Sequence, residues 1–126
     1  MSAQTYGKTL RLLSPGDFKQ VFDKATFRAP HQHFMLLACS NGLEHPRLGL
    51  VISKKNVRHA VNRNRIKRQV REYFRLHQQE LPAIDCIFLA RRGLDQVDSP
   101  TLVKQLQAQF KRLSKKALRD NPGNQP

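Results

Sequence analysis

The segment from Lys54 to Arg75 constrains this chain more than any other. It carries nine basic residues, Lys54, Lys55, Arg58, Arg63, Arg65, Lys67, Arg68, Arg71 and Arg75, against one acid, Glu72. From about Arg58 to Gln79 the apolar residues recur at helical spacing. At ~100° per residue Ile66, Val70 and Tyr73 share one side with Phe74 flanking, and Asn64, Lys67, Arg68, Arg71 and Arg75 lie opposite. Such a helix must lay its apolar stripe on a core and turn its charge outward. Nine cations less one anion leave a net +8, which must face a polyanion or stay solvated; nucleic acid, an anionic membrane and an acidic protein are the candidates. A solvated face kept for solubility would be better served by mixed signs. A membrane would need an exposed apolar stripe, and the one here is needed for the core.

The remaining sequence adds to this charge. Over 126 residues, 23 Lys+Arg oppose 9 Asp+Glu, for a formal net charge of +14. Hydrophobic residues (39%) and charged residues (25%) are close to globular proportions, so the excess is one of sign, and the length suits a single domain. No apolar run approaches the ~18 residues that span a bilayer, and Met1 to Leu10 lacks the apolar region of a signal peptide, so a soluble, cytoplasmic chain is expected. Cys39 and Cys86 sit in apolar stretches and read as free buried thiols in a reducing compartment.

Ser14-Pro15-Gly16-Asp17 marks a helix start, with Ser14 as cap, Pro15 at the first position and Asp17 at the third; Leu13 and Phe18 could staple it. Phe18, Val21, Phe22 and Ala25 then share a face, and the helix should end near Lys24. A short extended piece over 26–29 precedes two strand-like runs, 33–40 and 47–53, whose connection Asn41-Gly42-Leu43-Glu44-His45-Pro46 reads as a hairpin loop. Leu81-Pro82 closes the basic helix, and Asp85 to Ala90 is a buried strand ended by Arg91-Arg92-Gly93. Ser99-Pro100 reads as a second cap, followed by Leu102, Val103, Leu106, Phe110, Leu113 and Ala117 at helical spacing, with Lys104, Lys111, Arg112, Lys115 and Lys116 outside. The expected organisation is a flexible segment 1–10, one domain over 11–119 and a disordered tail 120–126.

No self-sufficient active site is legible. The acids are scattered with no Asp-x-Asp spacing, and there is no Walker loop, Gly-x-Gly-x-x-Gly or Gly-x-Ser-x-Gly. His31 and His33 could share a strand face, but two ligands are too few for a metal site. The arginines of the basic helix are suited to phosphate, which their planar fork holds with two hydrogen bonds. Phe18 and Phe22 are either core residues or rings lining a groove, where bases of a single strand would stack for about 1–3 kcal/mol each.

The run from Ser53 to Arg68, with Arg63-Asn64-Arg65 between a Ser-Lys-Lys strand end and Ile-Lys-Arg, resembles the signature of the protein subunit of bacterial ribonuclease P. The resemblance extends to Arg11 through Phe22, Pro46-Arg47-Leu48-Gly49-Leu50 and Asp85 to Gly93. It implies an α/β (α+β) two-layer sandwich, αβββαβα, with a mixed sheet and a left-handed crossover that runs against the general rule. It further implies that a large RNA uses Mg²⁺ to cut the 5′ leader from precursor tRNA, with one protein per RNA as an accessory subunit contributing no catalytic residue and no metal site. Arg58, Arg63, Asn64, Arg65, Lys67, Arg68 and Arg71 would bind the catalytic RNA. Phe18 and Phe22 would border the leader cleft, and Lys54, Lys55 and Arg91 would lie at its margin. The alternatives are a general RNA-binding or ribosome-associated protein, and a nuclease acting alone.

Overall fold

Ser14 and Asp17 start the first helix as their spacing implies. In the computed structural model, which describes residues 11, 12 and 14–120, α1 runs Pro15–Lys24. The Ser14 hydroxyl accepts from the Asp17 amide at 3.1 Å, and the Asp17 carboxylate accepts from the Ser14 amide at 3.4 Å, closing a capping box. There follow β1 (Phe27–Pro30), β2 (Phe34–Ser40), β3 (Arg47–Val51), α2 (Ala60–His77), β4 (Ile84–Ala90) and α3 (Ser99–Asp120), the expected order αβββαβα. The expectations for the segment 1–10, the Leu13 staple and the tail beyond Asp120 lie outside the described residues.

The four strands form one mixed sheet in the order β1-β2-β4-β3, with β3 parallel to β4 and the other pairs antiparallel. This overturns one expectation. Segment 41–46 is not a hairpin loop, because β4 lies between β2 and β3; the hairpin is β1–β2, with its turn at His31–His33. The physical reason is burial: six of the seven β4 residues are buried, so both its faces need cover and its edges need a strand on each side. Segment 41–46 bridges that gap, with Asn41 Nδ2 donating to His45 O at 3.0 Å.

Two layers of side chains pack on the sheet. On one face Leu36, Ala38, Leu48, Cys86 and Phe88 meet Ile66, Val70, Tyr73 and Phe74 of α2 and Leu102, Leu106, Phe110, Leu113 and Ala117 of α3. Tyr73 stacks on Phe110 (centroids 5.5 Å) and His77 (4.0 Å), and burial pushes its phenol up to about 12. Val103, expected in this set, is instead exposed on the flank of α3. The cap of α3 is Asp98 and not Ser99: Asp98 Oδ1 accepts from the Thr101 amide at 3.3 Å, and Ser99 is already helical. On the other face a smaller cluster joins Val21 of α1 to Leu12, Leu37, Cys39 and Ile87. Both cysteines are free and buried, and burial raises both thiols.

The α1 face of the sheet is closed at one end by Asp85, which is 5% exposed. Arg47 holds it with a fork, Nε to Oδ1 at 2.8 Å and Nη2 to Oδ2 at 2.6 Å, and Asn41 Nδ2 adds a third donor at 3.0 Å. Nearby, α1 crosses β3 at Gly49, where a Cβ would stand 2.6 Å from the Phe18 ring. Arg47→Ala strands a buried carboxylate and is expected to cost about 3–5 kcal/mol in denaturant unfolding. Gly49→Ala, which displaces Phe18, is expected to cost about 1–3 kcal/mol in the same measurement.

Candidate nucleic-acid interface

The outer face of α2 is built as the helical spacing implies. Ile66, Val70, Tyr73 and Phe74 are buried, and Asn64, Arg68 and Arg71 are exposed, with Lys67 half-buried beside them. Asn64, Lys67, Arg68, Arg71, Glu72 and Arg75 line a hollow of about 370 Å³. Glu72, the segment's one acid, is hydrogen-bonded to Arg75, which holds its carboxyl below the usual range. Arg68 and Arg71 therefore meet no carboxylate within 4.0 Å among the described residues.

Two of the candidate arginines are engaged within the chain. Arg63 Nη1 donates to Val57 O at 3.0 Å and Arg58 O at 2.8 Å, closing the turn that leads into α2. The N-cap residue His59 makes no side-chain cap, so Arg63 supplies order that the cap does not. Arg65 Nη1 reaches Ser99 Oγ at 3.4 Å at the start of α3. The spacing that put all these arginines on a charged helix could not show which of them the fold itself uses.

On the opposite face α1 leaves part of the sheet open. It crosses from β3, where Phe18 lies on Gly49, to β2, where the Thr26 amide bonds Ala38 O. Its Asp17 flank turns to Arg47 at 3.9 Å, so helical spacing turns Phe18 and Phe22 toward the other end of the strands. There the register aligns Pro30, Met35, Leu89 and Val51 in a row across all four strands, and Met35, Leu89 and Val51 are only partly buried. Phe18 is half-buried and Phe22 is 44% exposed, which settles the choice for Phe22 against the core. Phe18, Met35, Leu89 and Val51 thus make a partly exposed apolar surface on the buried cluster beneath α1, a candidate trough with Phe22 exposed on the same helix. Its floor was not singled out from sequence: in continuous apolar runs such as Met35 to Cys39, alternation does not show which face lies open.

Cations close one end of the trough. Lys54 and Lys55 follow β3 and Arg91 follows β4, and the parallel register brings them to the same sheet end, all exposed. Asn56 Nδ2 stitches the two strand ends through Ala90 O at 2.9 Å, and the Arg91 amide bonds His33 O at 2.9 Å. His31 and His33 lie in the β1–β2 turn and not along a strand face; the His33 amide donates to His31 Nδ1 at 3.1 Å. Burial, and then His33, lowers the His31 pKa. Among the described residues no three His, Cys, Asp or Glu gather where they could hold a metal ion, and no helix is long and apolar enough to cross a membrane.

Comparisons with known proteins identify the family and match the fold. The family model for Ribonuclease P matches residues 6–114. The chain belongs to the ribonuclease P protein family. It is 49% identical to the ribonuclease P protein component of Marinobacter nauticus, over 97% of this chain and 92% of that protein. It is 52% identical to that of Stutzerimonas stutzeri, over 87% and 84%. Among solved structures it superposes on the Thermotoga maritima RNase P protein with a TM-score of 0.72 and 32% identity, covering 81% of this chain and 96% of that one. A Staphylococcus aureus RNase P protein mutant, described as defective in mRNA degradation, gives 0.77 and 31%, covering 82% and 87%. The protein is thus an accessory subunit of the endoribonuclease ribonuclease P, and its partner in that ribonucleoprotein is RNA.

The geometry separates two kinds of arginine in and beside α2. Arg63→Gln is expected to destabilise the fold by about 1–2 kcal/mol, since the carbonyls of the 53–59 turn lose their donor. Arg68→Gln and Arg71→Gln should stay within about 0.5 kcal/mol of the parent in denaturant melts and lower RNA affinity in filter binding. An Arg63→Gln protein of full stability would show that this side chain is not needed by the turn.

Proposed function

We propose that the trough beside α1 receives the single-stranded 5′ leader of precursor tRNA while the outer face of α2 holds the catalytic RNA, so that the protein assists endonucleolytic removal of the leader. The observation that carries this reading is the composition of the trough: an aromatic wall of Phe18 and Phe22, an apolar floor, and Lys54, Lys55 and Arg91 at one end. Rings and apolar floor accept bases of any identity, and the cations accept the backbone, which suits leaders of varied sequence. On α2 the guanidinium groups of Arg68 and Arg71, with Lys67 and Asn64, suit the phosphates of a folded RNA, and Arg58 extends the same surface from the turn before the helix. Arg63 and Arg65 support this face from within, through the turn and through α3.

Bond breaking, on this reading, belongs to the RNA with its Mg²⁺. Among the described residues no three His, Cys, Asp or Glu gather to hold such an ion. One protein per RNA, acting in the cytoplasm, completes the proposal.

The test is cleavage of a precursor tRNA at low Mg²⁺ by a bacterial ribonuclease P RNA, with and without the protein, beside the protein alone. Rescue by the protein and no cleavage by it alone is the expected result; failure to rescue despite tight RNA binding points to a general RNA-binding protein, and cleavage by protein alone to a nuclease. Phe22→Ala sharpens the assignment. Because the ring is exposed, stability should change by no more than about 0.5 kcal/mol, while affinity of the assembled particle for long-leader substrate falls by about 1–3 kcal/mol relative to a substrate without leader.

A further inference from the structure

We propose that the outer face of α3 is a second RNA-binding surface, matched to the phosphate backbone of a helical RNA segment and separate from the α2 face. The proposal rests on the ribonucleoprotein reading for its choice of RNA as the polyanion.

From Ser99 to Arg119 the sequence holds Lys104, Lys111, Arg112, Lys115, Lys116 and Arg119 and no acid. The first five are exposed, and none lies within 4.0 Å of a carboxylate among the described residues. The other helices behave differently: α1 pairs Lys19 with Asp23 at 2.6 Å, and α2 pairs Arg75 with Glu72. A helix kept merely soluble would use such pairs, whereas Lys111 with Lys115 and Arg112 with Lys116 are like charges one turn apart, which oppose helix formation. The helix dipole rewards cations only in the last turn, so it does not account for Lys104 or Lys111.

The arrangement is directional. Lys104, Lys111 and Lys115 fall within about 40° of one another around the helix, and Lys104 to Lys115 spans roughly 16 Å at ~1.5 Å per residue. Arg112 and Lys116 take the adjoining flank beside β1, where Lys116 Nζ donates to the backbone oxygen of Arg28 at 2.5 Å. The opposite flank, toward α2, is marked by exposed Val103 and Leu76, an apolar strip between the two charged faces.

The same residues identify the ligand's form. The one aromatic residue of α3, Phe110, is buried, so bases find nothing to stack on and a single strand gains nothing beyond charge. Four of the five described cations are lysines, point charges that meet backbone phosphate without reading a base. Leu102, Leu106, Phe110, Leu113 and Ala117 are all spent on the sheet, which leaves no apolar face to enter a membrane.

The experiment replaces Lys104, Lys111 and Lys115 together by Gln in the full-length protein, with the triple Lys→Arg protein beside it. Binding is measured against salt for ribonuclease P RNA, a blunt RNA duplex, an unstructured single strand and anionic phospholipid vesicles. The slope of log affinity on log salt should shrink by about 2–3 for the ribonuclease P RNA and the duplex and by less for the single strand, with the Lys→Arg protein at parent values. Unchanged slopes for both RNAs, or a loss confined to the single strand or the vesicles, would overturn the proposal. Arg68→Gln with Arg71→Gln, run in parallel, separates the two readings: loss from α3 but not from α2 would keep this surface and remove the assignment of α2, and the reverse would do the opposite.

Discussion

The buried carboxylate of Asp85 is the constraint on which the assembly of this sheet depends. It stands at the start of the central strand, 5% exposed, in a place where an unpaired charge would be costly. Its partners come from the edge strand, through the Arg47 fork, and from the 41–46 connection, through Asn41. Arg47 in turn faces Asp17 at the start of α1 at 3.9 Å. One acid thereby relates β4, β3, the connection between β2 and β3, and the end of α1 that lies over them. Arg47 bonds Asp85 directly and faces Asp17 more distantly, and the hydrogen bond to Asp85 raises its own pKa further, so the fork stays charged wherever the protein is folded.

The sequence made the elements legible and the pairing of strands much less so. Ser14 with Asp17 set the α1 cap, and the 3.6-residue rhythm of Ile66, Val70 and Tyr73 set the face of α2, because both signals are local. The hairpin reading of 41–46 failed because turn residues only say that a chain reverses. They do not say whether another strand enters the gap, and that depends on β4, more than thirty residues away, needing cover on both faces. Asp98 and Ser99 are both capping residues, and only the backbone path chooses between them. The Ser53 to Arg68 signature carried the family, although the structure shows that two of its arginines, Arg63 and Arg65, bond inside the chain.

That division within the signature follows from the length and reach of arginine. A guanidinium can bond two carbonyls at once, as Arg63 does with Val57 and Arg58, and the same donors elsewhere on the helix are left to face outward. Charge repulsion along α2 is tolerated because its apolar side is fixed by Ile66, Val70 and Phe74, each fully buried. Packing, and not helix propensity, holds the cations in place.

The strand order also shapes the proposed leader trough. Placing β4 inside the sheet brings the ends of β3 and β4 together, so Lys54, Lys55 and Arg91 meet at one edge of the trough although they are far apart in sequence. Had β2 and β3 formed the expected hairpin, β4 could have reached the sheet only at an outer edge, and the row Pro30, Met35, Leu89 and Val51 that floors the trough would not run in this order. A left-over apolar strip on a sheet is ordinarily a liability. Here it is bounded by the α1 aromatics on one side and cations at its end, the combination on which the proposed leader site rests.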